Sequence, residues 1–227
     1  MRVLGIETST ISGSVAILDD DRVLGELSLN VGPVHSEKLL PVIEWLLKEA
    51  DVDKKGIEAV SVSIGPGSFT ALRIGISTAK ALAFSLKIPI VGVSSLEVLA
   101  SNLIFTSFTI CSIIDARKKE VFVGFFRSSD GRLDRLSDEM LIAPEIIPKI
   151  TKEKTIFVGD GAVLYRDSIN STLGGFAIFC PPHLNMPRAA CCAFLGAQKL
   201  NKGYKDDLLH LVPRYLRRAD AEILRER

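Results

Sequence analysis

Histidine and cysteine are scarce in this sequence, at three and four residues among 227. His35, His183 and His210 stand far apart, so they make no metal site of their own. Cys111, Cys180, Cys191 and Cys192 contain no CxxC pair, and two of them are adjacent. That spacing suits neither a zinc knuckle nor a disulfide framework, and the expected state is buried, reduced thiols in the cytosol. No segment approaches the ~20 apolar residues that a bilayer-spanning helix needs. Glu7 falls where a secretory signal would need its apolar region, so a cytoplasmic location with no membrane partner is expected. Excess charge is missing too, since 28 Lys and Arg against 27 Asp and Glu leave +1. No whole-molecule field therefore draws the chain onto nucleic acid. An RNA contact has to come from a local patch or from another subunit.

What remains is ordinary globular material, 47% hydrophobic and 24% charged, in a length that suits one large domain or two small lobes. Residues 3–8, 13–18 and 23–29 read as three successive strands, with Asp19-Asp20-Asp21 as the turn between the last two. A helix is expected from the N-cap Ser36 to Ala50. Leu39, Ile43, Leu46 and Ala50 form its stripe, Leu40 and Leu47 lie beside it, and Val42 and Trp45 point elsewhere. The helix is thus apolar over more than one docked face requires, and Pro41 should bend it or loosen its first turn. Strand 59–64, the turn Gly65-Pro66-Gly67, a helix from Thr70 to Leu86, strand 88–93 and a third helix capped at Ser94-Ser95 follow. The order β-β-β-α-β-α-β-α predicts a mostly parallel sheet extended by an antiparallel pair.

A second, shorter unit starts near Phe105. It opens on a hairpin of residues 109–115 and 120–127 around Arg117-Lys118-Lys119. Strand 155–158, the turn Gly159-Asp160-Gly161, a helix, the apolar residues 176–180 and a helix over about 187–201 complete it. The expected division is 1–104 and 105–227, the C-terminal tail being a candidate to pack back on the first lobe.

Two turns carry the chemistry worth weighing. Thr8, Ser9 and Thr10 can present N–H and hydroxyl groups to phosphate oxygens, although hydroxyl residues also favour plain hairpin turns. Gly65, Gly67 and Ser68 join a strand to a helix N-terminus, where free N–H groups and the helix dipole favour anions. The run is neither a Walker A loop nor GxGxxG, since no Lys-Ser/Thr pair follows and Thr70 replaces the third glycine. In the following helix Gly75, Ala79 and Ala83 make a ridge of small residues suited to close helix packing.

The runs LGIETST, VHSEKLLPVI, GPGSFTALRIG, SSLEVLA and IDARKKEVF together resemble the YeaZ/TsaB family, closely over residues 1–127 and more loosely through Gly159-Asp160-Gly161 and Pro213–Arg217. Family chains commonly carry Gly where Ala71 stands here. The resemblance implies an α/β fold of two actin-like (ribonuclease H-like) lobes with mixed sheets, the second reduced. It implies an accessory subunit required for N6-threonylcarbamoyladenosine formation in tRNA, not a complete enzyme by itself. That subunit would bind and activate a metal-dependent TsaD-like transferase, together with a small TsaE-like ATPase, and would form a homodimer in isolation. Contact with tRNA would come only through the complex. No cofactor is expected on this chain alone, with ATP or ADP at the complex interface. The metal-binding HxxxH of the TsaD sister family falls on Ser95 and Leu99 here, so no metal and no catalytic residue are expected. The partner face is expected on the two first helices, at Leu40, Ile43, Leu47, Arg73, Ile76, Ala79 and Ala83, with His35 and Glu37 in a structural or interface role.

The enzyme alternative is a stand-alone phosphotransferase of the same fold. It needs a base and a magnesium-holding carboxylate, for which Glu7, Asp115 and Asp160 are the candidates. Peptidase activity has neither HExxH nor a Ser/His/Asp set behind it. Arg214, Arg217, Arg218, Arg225 and Arg227 alternate with Asp220, Glu222 and Glu226, which suits a solvated tail, with tRNA contact as the alternative.

Overall fold

A computed structural model describes residues 1–29 and 35–217, apart from the side chains of 35–37. The chain divides into two compact units, Met1–Val98 with Pro187–Pro213, and Leu99–Met186 with the segment from Arg214 on.

The first unit is built on β1 (Arg2–Glu7), β2 (Gly13–Asp19), β3 (Arg22–Leu29), β4 (Ala59–Gly65) and β5 (Ile90–Ser94), in the order β3-β2-β1-β4-β5. β1, β2 and β3 pair antiparallel, while β4 and β5 add parallel to β1. The helices are α1 (His35–Glu49), α2 (Phe69–Leu86) and α3 (Ser95–Ser101), α3 carrying the division between units. The expected strand at 88 begins only at Ile90, because Pro89 has no N–H to give a ladder and Lys87 turns back with φ 58°.

Both faces of this sheet are covered at β1, β2, β4 and β5, which are buried along nearly their whole length, while the edge strand β3 stays half-buried to exposed. Alternate residues serve opposite faces. Leu4, Ile6, Val15, Ile17, Val60 and Val62 meet Leu39, Ile43 and Leu46 of α1 and Ile76, Ala79 and Ala83 of α2. On the reverse face Val3, Leu18 and Ala59 meet Ala193, and Val91 and Val93 meet Cys192 and Leu195.

Those reverse-face partners belong to the last helix among the described residues, Ala189–Asn201, which the expected 105–227 lobe would have placed with the second sheet. Small residues let it lie almost on the strands. A Cβ on Gly5 would stand 2.2 Å from the Ala189 carbonyl oxygen, and one on Gly196 would stand 2.3 Å from Ser61 Oγ. The chain after it also stays with the first unit. Asp206 accepts from the Gly92 N–H at 2.7 Å, Lys80 Nζ donates to the Leu209 and Leu211 carbonyls, and Leu211 enters the core.

The second unit repeats the plan. Its strands are β6 (Thr109–Asp115), β7 (Val121–Ser129), β8 (Arg132–Arg135), β9 (Met140–Ile142), β10 (Thr155–Val158) and β11 (Ala177–Phe179), ordered β11-β10-β6-β7-β8 with β9 also on β7. β6 and β7 form the antiparallel hairpin, and β10 and β11 run parallel to β6. With the short β9 set aside, both sheets follow one strand order counted within each unit, as two ribonuclease H-like lobes require. The lobe is reduced in its helices: α4 (Ile147–Ile150), α5 (Asp160–Leu164) and α6 (Arg166–Leu173) have 4, 5 and 8 residues. Ile113, Val123, Phe157, Ile147, Ala162 and Ile169 form its core. The helix Ala189–Asn201 that packs on the first sheet is α7.

Candidate functional site

The two candidate phosphate turns meet each other. β1 ends in Glu7, and Thr8-Ser9 turns beneath the start of α2. The Ser9 carbonyl accepts from the Ser68 N–H at 2.7 Å, and a Cβ on Gly67 would lie 2.1 Å from that same oxygen. Thr8 Oγ1 donates to the Ala71 carbonyl at 2.8 Å, and Gly75 leaves the space for Thr8. The Ser9 N–H donates to Glu7 Oε1 at 2.6 Å. Thr8, Ser9, Thr10 and Gly65 are buried, Gly67 half-buried, and Ser68 exposed at the N-terminus of α2 without a side-chain cap. The Thr8 hydroxyl and the Ser9 carbonyl thus tie β1 to α2, and the Ser9 amide is bonded to Glu7.

Glu7 is the buried acid of this corner. Its second oxygen takes the Ser63 hydroxyl, and burial nevertheless pushes the carboxyl above its ordinary range. Cys192 lies nearby, its thiol pushed up to about 12 by burial and by Glu7. The remaining candidate acids lie in the second unit. Asp160 Oδ1 accepts from the Asp115 and Gly161 N–H groups, and burial raises its carboxyl. Asp115 pairs with Arg117 at 3.2 Å. Among the described residues no three of His, Cys, Asp and Glu gather closely enough to hold a metal. Ser95 and Leu99 are both fully buried in α3. Cys111, Cys180 and Cys192 are buried free thiols, and Cys191 is half-buried.

The expected partner face is corrected in part. Ile43, Ile76, Ala79 and Ala83 are packed inside the unit's own core, and Leu47 packs against it. The small-residue ridge lets α2 approach the sheet. The other side of the same helices is exposed. On α1 Leu40 is 49% and Trp45 50% exposed, and on α2 Phe84 is 73% exposed. Thr70, Arg73, Ser77, Ala81 and Phe84 make the outer stripe of α2, with the Arg73 guanidinium 3.9 Å over the Phe69 ring. Sequence spacing showed the apolar excess on α1 and the small-residue ridge of α2, and it passed over the exposed Phe84. The side chains of His35 and Glu37 lie outside the described residues, as do Arg218, Arg225 and Arg227.

Two tail arginines are tied down. Arg214 pairs with Glu139 at 2.9 Å, and Arg217 pairs with Glu120 and donates to the Ala116 carbonyl at 2.7 Å. No helix among the described residues is long and apolar enough to cross a membrane.

A family model described as TsaD, tRNA N6-adenosine threonylcarbamoyltransferase, matches residues 30–225. The tRNA threonylcarbamoyladenosine biosynthesis protein TsaB of Bacillus subtilis is 34% identical over 225 residues, covering 98% of this chain and 96% of that one. The solved structure of YeaZ from Pseudomonas aeruginosa superposes with TM-score 0.82 at 27% identity, over 95% of this chain and 99% of that one. An activator of 2-hydroxyisocaproyl-CoA dehydratase from Clostridium difficile, solved with bound ADPNP, shares the fold alone, with TM-score 0.51 and 13% identity over 91% and 99% of the two chains. On this likeness, which runs nearly end to end, the chain belongs to the YeaZ/TsaB family of tRNA threonylcarbamoyladenosine biosynthesis proteins.

Proposed function

We propose that this chain is the non-catalytic subunit that binds and activates a TsaD-like threonylcarbamoyl transferase. The observation that carries the reading is the outer face of α1 and α2. Leu40, Trp45 and Phe84 are large apolar side chains left half or more exposed on two adjacent helices, while the inner faces of the same helices are fully used by the core. Two such helices against a matching pair make a four-helix contact, and a second copy of the chain can take that place when the partner is missing. On this reading a small TsaE-like ATPase joins the assembly in the cytoplasm. ATP or ADP sits at the interface, and tRNA is delivered through the complex. The internal bonds of the Thr8 hydroxyl and the Ser9 amide favour it over a stand-alone phosphotransferase.

The test is Phe84→Glu, made alongside Ala79→Glu and read by titration against the purified transferase and by sedimentation of the chain alone. Phe84→Glu is expected to fold normally and to weaken both associations by about thirtyfold or more, as loss of an aromatic anchor does. Ala79→Glu is expected to unfold, because its carboxylate would enter the core. A Phe84→Glu chain that binds the transferase and itself with unchanged affinity places the interface elsewhere.

A further inference from the structure

The hairpin between β6 and β7 has an unusual tip. Arg117, Lys118 and Lys119 are three consecutive residues in the left-handed region, with φ 61°, 54° and 58°, and all three are exposed. A residue with a Cβ is disfavoured there and glycine is not, so a plain turn would be built more easily from Gly or Asn. The backbone is held in place from several sides. Ala116 N–H bonds the Glu120 carbonyl at 3.0 Å, Glu120 N–H bonds the Arg117 carbonyl at 3.0 Å, and Arg117 N–H bonds Asp115 Oδ1 at 2.9 Å. Arg217 clamps the base through the Ala116 carbonyl and Glu120. Strained backbone that its surroundings over-determine is a mark of ligand-contacting segments.

We propose that this tip is a contact for the phosphodiester backbone of RNA, which rests on the reading of the chain as part of a tRNA-modifying assembly. With a net charge of +1 the molecule has no general affinity for polyanions, so cations fixed at one rigid point are the form a contact has to take. Arg117 is paired with Asp115 at 3.2 Å, and the exposed Lys118 and Lys119 carry the further positive charge of the tip. Lysine supplies a compact charge that any phosphate accepts, without reading a base.

The experiment compares the wild-type chain with the double variant Lys118→Gly/Lys119→Gly, which removes two charges where glycine is at ease. Each is titrated with an unmodified tRNA transcript over a range of salt, both alone and mixed with the transferase, with ATP and poly-glutamate as separate probes. The double variant is expected to melt at the same temperature or higher. It should bind the transcript about tenfold more weakly, with a salt slope smaller by about one to two, roughly one for each phosphate that is no longer neutralised. ATP should be unaffected. An unchanged affinity and slope overturns the proposal, as does a wild-type chain that binds no transcript in either arm. So does a loss seen only with ATP, or equally with poly-glutamate, which would mark a nucleotide site or an acidic protein surface instead. If the chain fails to associate with the transferase, the proposed function fails, while the titration of the chain alone still decides the role of the tip.

Discussion

Glu7 shows how one residue joins sequence to stability. An ionised carboxyl is costly out of water, and the bonds from Ser9 N–H and Ser63 Oγ offset only part of that cost. Its folded-state titration therefore lies above its unfolded one. Between the two values the folded chain holds more protons, so stability falls as pH rises through that window and is fully retained below it. The Cys192 thiol beside it, at about 12, stays neutral throughout. Glu7→Gln keeps an acceptor for Ser9 N–H and removes the titration. Its melting temperature is expected to gain on wild type as the pH rises above the ordinary carboxylate range. A difference that stays flat with pH would mean the carboxyl is not destabilised by burial.

At the level of elements, much was legible because the sheets alternate or run apolar and the turns are marked. β1 to β4 and the β6–β7 hairpin begin and end within about two residues of expectation. Short strands were not. β8 is Arg-Leu-Asp-Arg and β9 only three residues, so neither carries a period to read. Gly75, Ala79 and Ala83 did announce close packing, but small residues fit a sheet as well as a helix, and nothing local tells which side faces in. The same holds for α7, whose Ala189, Ala193 and Gly196 signal a tight approach without naming the sheet. Gly5→Ala tests that placement. The added methyl meets the Ala189 carbonyl and should cost about 1–3 kcal/mol, read as a lowered urea midpoint. Gly175→Ala, which meets nothing within 4 Å, should stay within about 0.5 kcal/mol. Equal effects of the two changes would contradict the packing of α7 on β1.

For the whole molecule, two sheets that share one strand order once β9 is set aside identify the fold, but such folds host many chemistries, and function lies in what is placed on them. Here the hydroxyl of Thr8 is turned inward, Ser95 and Leu99 stand where the resemblance sets the sister family's HxxxH, and Leu40, Trp45 and Phe84 are exposed on α1 and α2. On the proposed reading, that pattern suits a protein whose activity is exerted through another chain. The most direct measurement is transfer of the threonylcarbamoyl group to adenosine of a tRNA transcript by the purified transferase and the small ATPase from the same cell. Adding this chain should raise the rate at least about a hundredfold, with saturation near one chain per transferase, and the Phe84→Glu chain should fail to do so at the same concentration. A transferase that reaches the same rate without this chain would contradict the account.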